Sequence, residues 1–208
     1  MPTFRFLVSI VVLLVLPAAQ AAAATSAENF VSTNIERGLQ ILNSNGPQRS
    51  SRFETFLEGL TDIGRIGRFT LGAARRTASP ADLSAFDSAF RNYALAVYQS
   101  RLSQYAGQTL KVTGSVENAP GDYTVSTVMV DPGAKSNQQP LPVAFRVVTE
   151  GGKMVVIDVS VAGVWLSIEE RDQFSAFLSQ HNGNIPALVE HLNRLATQIR
   201  NGGTSQPH

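Results

Sequence analysis

Apolar residues crowd both parities of the stretch 154–161. Val155, Ile157, Val159 and Val161 fall on one parity, Met154 and Val156 on the other, and Val164 follows a break at Gly163. A strand with water on one face alternates cleanly, so this pattern predicts a strand that is covered on both faces or lines something apolar. Asp158, inside it, must be paired or lie near the strand end, because an unpaired buried carboxylate is costly. Upstream the period is also two. Leu110, Val112 and Val116 alternate with Lys111, Thr113 and Ser115, a second strand runs from Tyr123 to Val130, and Val143, Phe145 and Val147 alternate with Ala144, Arg146 and Val148. Glu150-Gly151-Gly152-Lys153 has the composition of a hairpin turn. Four consecutive strands predict an antiparallel meander, with a Gly-, Ser-, Asn-, Gln- and Pro-rich loop at 133–140.

On either side of the strands the period becomes helical. Residues 26–44 carry Phe30, Val31, Ile35, Leu39 and Leu42 and stop at Asn45-Gly46-Pro47. A second short helix carries Phe53, Phe56, Leu57 and Leu60. Residues 62–73 continue helically through Ile63, Ile66, Phe69 and Leu71, where Gly59, Gly64, Gly67 and Gly72 predict bends or close helix contacts. The longest helix starts at Pro80 behind an N-cap at Ser79 and ends at Gly107. Its stripe includes Phe86, Phe90, Tyr93, Val97, Tyr98 and Tyr105, rings that either pack a core or line a cavity. Two more helices close the chain, one over roughly 168–180 and one from an N-cap at Asn184 through Leu188, Leu192, Leu195 and Ile199. The fold class is α+β: a curved four-stranded antiparallel sheet with helices before and after it, enclosing an apolar pocket.

The first residues stand apart. Arg5, an apolar run from Phe6 to Leu16, Pro17 and then Ala18-Ala19-Gln20-Ala21-Ala22 have the order of a secretory signal peptide, and the run is shorter than the roughly 20 residues of a membrane span. The expected organisation is a signal peptide at 1–24, a single domain at 25–200 and a disordered tail at 201–208. Localisation is then the periplasm, if the cell has two membranes. The chain has 17 basic and 16 acidic residues, and removing Arg5 balances them. No basic footprint is left for a nucleic-acid partner. With no Cys there is no disulfide framework, so stability rests on packing.

Reaction chemistry is hard to find. His181, His191 and His208 lack metal-ligand spacing, and no nucleophile elbow, Walker loop or dinucleotide fingerprint occurs. No cofactor is implied. Asp158 near Tyr rings could act as a general base in a cone-shaped isomerase pocket, or could be satisfied by backbone amides or an Arg. Arg65, Arg68, Arg75 and Arg76 form a basic cluster that is either a solvated face or a docking surface for an acidic partner.

Leu71-Gly72, Thr77-Ala78-Ser79-Pro80, Phe86, Phe90, Tyr93, Tyr98 and Tyr105-Ala106-Gly107-Gln108 together resemble the ordered pattern of the MlaC, or toluene-tolerance, family. Val156 to Val159, Gly163-Val164-Trp165-Leu166, Gln173-Phe174 and Asn182 to Leu188 resemble its later blocks. The chain departs from the family at Ala73-Ala74-Arg75-Arg76, where an aromatic pair is usual, at Ile157 for Tyr and at Trp165 for Ser. The resemblance implies a non-enzymatic, monomeric periplasmic carrier of a two-tailed phospholipid. Such a carrier shuttles lipid between an inner-membrane ABC transporter with its MCE ring and an outer-membrane lipoprotein complex, which maintains outer-membrane asymmetry.

On that reading, two tails of roughly 28 methylenes gain over ~20 kcal/mol gross at ~0.8 kcal/mol each. Tail contacts are expected from the concave sheet face and the long helix: Phe69, Tyr93, Val97, Tyr98, Val143, Phe145, Val147, Ile157, Val159, Val161 and Trp165. Strand parity could invert that set. A carrier of hopanoid or another polycyclic lipid, in a pocket made rigid by Trp165, is an alternative, as are the isomerase and an adaptor whose hollow is filled by side chains.

Overall fold

The computed structural model describes residues 18–103, 105–133 and 139–202. Residues 1–17 of the expected leader, 134–138 of the expected hairpin loop and 203–208 of the expected tail lie outside them.

Among the described residues, six helices and five strands form an α+β domain. The helices are α1 (Ala18–Leu42), α2 (Arg49–Leu60), α3 (Ile63–Thr70), α4 (Pro80–Ser103), α5 (Leu166–Gln180) and α6 (Ile185–Arg200), with a 3-10 turn at Gly72–Arg76. The strands are β1 (Thr109–Ala119), β2 (Asp122–Val130), β3 (Leu141–Glu150), β4 (Lys153–Val161) and β5 (Val164–Trp165), antiparallel in that order. The fifth strand was not expected. Ala162 and Gly163 both take positive φ, 52° and 85°, and this tight turn folds Val164 and Trp165 back onto Val161 and Ser160. As described, α1, with 25 residues, is one residue longer than α4.

The predicted caps form. Ser79 Oγ accepts from the Asp82 N–H at 3.1 Å and donates to Asp82 Oδ2 at 2.7 Å. Asn184 Oδ1 accepts from the Ala187 N–H at 3.0 Å, and a cap that was not expected forms at Asp62, whose Oδ1 accepts from the Arg65 N–H at 2.9 Å. The glycine-rich segment breaks into α3 and the 3-10 turn. At Gly67 α3 meets α4 so closely that a Cβ would lie 2.7 Å from Phe90 Cδ1.

Two of the three breaks in strand register, both β-bulges, decide which side chains share a face. One lies between Val112 and Gly114 of β1, the other where Val147 pairs with Val156 although Arg146 pairs with Asp158. The extra residue reverses parity in each strand. Ser115 therefore replaces Val116 on the inner face, where its hydroxyl donates to Glu28 Oε1 at 2.7 Å, while Val116 is exposed. On β4, Met154 and Val156 share the inner face with Val159 and Val161, and Ile157 has no partner in the ladder. The mixed parity in the sequence thus has two causes: this bulge, and cover on both sides, since α3 and α5 pack on β4 as well.

The core has two main parts. Leu71, Phe86, Phe90, Phe174, Leu178, Leu188 and Leu192 join α4, α5 and α6, with Phe174 edge-on to both Phe86 and Phe90 at 6.2 and 6.3 Å. Ala27 and Val31 of α1 pack on Tyr123, Val125, Val147 and Val156 of the inner sheet face. The sheet therefore curves against α1, not around the long aromatic helix α4. The stripe of α4 is taken up by α3, α5 and α6, whose apolar faces need cover. The small Ala27 lets α1 lie close to the strands. His191 of α6 is half-buried and stacked on Phe177 at 4.7 Å.

Candidate functional site

Between α1, α2 and one end of the concave sheet lies a cavity of about 470 Å³. α1 contributes Phe30, Ile35 and Leu39, and α2 contributes Phe53, Phe56, Leu57 and Leu60. Leu110, Met129, Phe145 and Val156 form the sheet wall, and Val156 shares the face of Phe145 only because of the bulge at Ile157. Gly38 lets the two helices approach: a Cβ there would lie 3.2 Å from Phe56 Cε1. Ligand hollows are typically ~300–1,000 Å³, so this one has room for an acyl chain. Burying a chain of about 16 methylenes would gain roughly 13 kcal/mol gross.

One end of the cavity is polar. Arg101, in the last turn of α4, and Tyr105, Gln108, Thr109 and Asp131 line it. Gly107 turns the chain there with φ 94°, and a Cβ on it would lie 3.6 Å from Pro132 Cγ. The exit of α4 therefore lies beside the exit of β2.

Of the residues expected to touch a ligand, Tyr98 and Phe145 line this cavity. Burial pushes the Tyr98 phenol pKa up, and the charges of Asp158 and Glu170 add to the rise. The other nine do not line it. Phe69 is exposed on α3 with the Arg171 guanidinium 5.2 Å from its ring centre. Tyr93 points to α5 and donates to Glu170 Oε1 at 3.0 Å, and Val97 packs with Ala96, Ala196 and Ile199. Val143, Val147 and Val159 belong to the sheet side of the core. Ile157 is the unpaired residue of the bulge, Val161 sits opposite Val143, and Trp165 lies in β5. The α1 and α2 stripes were visible as amphipathic periods, but a period does not say which partner covers it.

Asp158 is occupied. Its Oδ1 accepts from the N–H groups of Val159 at 2.8 Å and Ser167 at 3.1 Å, and its Oδ2 from the Ser167 hydroxyl. It ties β4 to the start of α5 and does not line the cavity. In the basic cluster, Arg65 pairs with Glu150 and Arg68 with Asp87. Arg75 and Arg76 are exposed on the 3-10 turn. Arg91 of α4 spans to Glu58 and, at 3.7 Å, to Glu54 of α2. Among the described residues no helix is long and apolar enough to cross a membrane.

Together these features define an α+β pocket protein, in which two helices and the concave face of an antiparallel sheet enclose an apolar hollow with one polar end. The sequence model of the MlaC protein family matches residues 26–194, and the chain belongs to that family. Among solved structures it is similar to the phospholipid-binding protein from Ralstonia solanacearum in complex with a phospholipid. The two share 21% identity over 87% of this chain and 98% of that one, with a TM-score of 0.64. At that identity the likeness shows the fold. No curated protein gives a significant match.

Proposed function

We propose that this protein is a periplasmic phospholipid carrier of the MlaC type. It shuttles lipid between an inner-membrane ABC/MCE transporter complex and an outer-membrane lipoprotein complex, and so maintains outer-membrane lipid asymmetry. The observation that carries this reading is the apolar cavity between α1, α2 and the sheet. Family membership supports it, as does a neighbour of the same fold described as phospholipid-binding. Export would follow cleavage of the leader at 1–24.

The binding physics fits carriage better than turnover. Acyl chains leave water for an apolar hollow, and the gross gain of one chain is large enough that release into water is slow even after ordering costs. Handover then needs a partner that offers a continuous apolar path. The exposed Arg75 and Arg76 are the docking residues of this reading. In this reading α2, held to α4 only by exposed ion pairs, moves outward as the second tail enters. Asp158, bonded to Ser167 and outside the cavity, gives no support to an isomerase, and Trp165, also outside it, none to a rigid polycyclic-lipid pocket.

The test is native mass spectrometry of the protein purified from a bacterial periplasm, with lipid extraction and identification. A stoichiometric phospholipid is the expected result. An empty protein that also takes up no phospholipid from vesicles would overturn the reading.

A further inference from the structure

The polar end of the cavity carries two opposite charges that do not meet. Arg101 is exposed and makes no ion pair or hydrogen bond within the described residues. Asp131 follows β2 directly, and its Oδ1 accepts from the Gly133 N–H at 2.8 Å. No cation of the described residues pairs with it. On the same sheet Arg146 and Asp122 do close into a two-pronged pair, at 3.1 and 2.7 Å. Gly107, after α4, lies near Pro132, after β2, so Arg101 and Asp131 stand at neighbouring chain exits.

We propose that Arg101 and Asp131 form a headgroup site for a zwitterionic glycerophospholipid, with the phosphate at Arg101 and the ammonium at Asp131. The inference rests on the reading that the hollow beside them takes acyl chains. A lipid whose tail fills the apolar part leaves its phosphate at the polar end. A guanidinium recognises phosphate by paired N–H donors. The charge that follows the phosphate in the headgroup then faces Asp131. An ammonium there is attracted; a headgroup that ends in neutral hydroxyls leaves the carboxylate without a countercharge and places it near the phosphate. Because both groups are at the surface, each contact is worth a few-fold and not orders of magnitude. The last turn of α4 also favours a cation for its own sake, but that effect makes no demand for Asp131.

The experiment equilibrates the full protein with vesicles equimolar in phosphatidylethanolamine and phosphatidylglycerol with identical tails, then reads the bound lipids by native mass spectrometry. The wild-type protein is expected to carry about threefold more phosphatidylethanolamine. Asp131→Asn, which keeps the acceptor for Gly133, should bring the ratio close to one. Arg101→Gln should lower the amount of both lipids, and Arg101→Lys should restore part of it. Bound lipid at a wild-type ratio of one or below, or an Asp131→Asn protein with its preference intact, overturns this headgroup site and leaves the carrier reading standing. A protein that takes up neither lipid overturns the carrier reading itself.

Discussion

Tyr93 donates its phenolic hydrogen bond to Glu170 Oε1 at 3.0 Å, and the other carboxylate oxygen of Glu170 is buried with no partner among the described residues. Burial is the largest effect on Glu170 and pushes its pKa above the usual carboxylate range; the Tyr93 bond opposes the rise and Glu169 adds to it. The folded protein therefore holds a proton that the unfolded chain releases. Stability from this group is fully present below the unfolded pKa and is lost as pH rises through the folded one. Replacing both partners by apolar groups of similar shape, Tyr93→Phe with Glu170→Met, removes that loss. The variant is expected to gain melting temperature on wild type as pH rises from about 4.5 to 8. Asp122, held low chiefly by its bond to Arg146, has the opposite sign and loses its contribution as pH falls. The variant-minus-wild-type difference isolates Glu170, and a difference that is flat with pH would refute the assignment.

The closeness of Gly67 to Phe90 gives a second test. Phe90 is wedged between Phe86 and Phe174, so its ring has little freedom to yield. Gly67→Ala is expected to cost about 1–3 kcal/mol by overpacking, although Ala is the better helix former by roughly 1 kcal/mol. Chemical denaturation would check it, and a stabilised Gly67→Ala protein would show that α3 can shift.

Cavity shape gives a third. Leu39→Trp puts a large ring into the hollow and should lower the lipid carried after purification by at least half. Phe69→Ala changes an exposed ring on α3, outside the hollow, and should leave lipid content as in the wild type. Lipid-to-protein ratios after extraction distinguish the two sites. The reverse result would move the binding site to the α3 side.

The ion pairs of Arg91 with Glu54 and Glu58 hold α2 in place but are exposed, so they contribute at most about 1 kcal/mol. Arg91→Glu turns attraction into repulsion. Uptake of a two-tailed fluorescent phospholipid from vesicles should then be about two- to fivefold faster, with a smaller gain at high salt. Unchanged rates would mean that α2 does not open along this edge.

The α+β class, the hairpin at Gly151 and Gly152 and the caps at Ser79 and Asn184 were legible because each is written in neighbouring residues. Tyr98 and Phe145 were also legible as cavity residues. Phe30, Ile35, Leu39, Phe56 and Leu57 were seen as apolar stripes and not as a wall, because amphipathicity states that a face is covered and not by what. Val116 and Ile157 misled for a different reason. A strand pattern is read by counting in twos, and the count fails wherever one residue is inserted without a partner. Gly114 is a local sign of its bulge, but nothing at Ile157 announces the second; it is fixed by pairing with β3, whose residues lie elsewhere in the sequence.

The extra residue at Ile157 also makes β4 a phase shifter. Upstream of it the even-numbered side chains Met154 and Val156 face inward, and downstream the odd-numbered Val159 and Val161 do. Deleting Ile157 would close β4 into an unbroken ladder in which Asp158 still meets Arg146 and Val156 still meets Val147, so Met154, Val156, Val159 and Val161 would keep the inner face. The residue of β4 that holds no rung of the ladder is thus the one whose loss should leave both faces of the strand as they are.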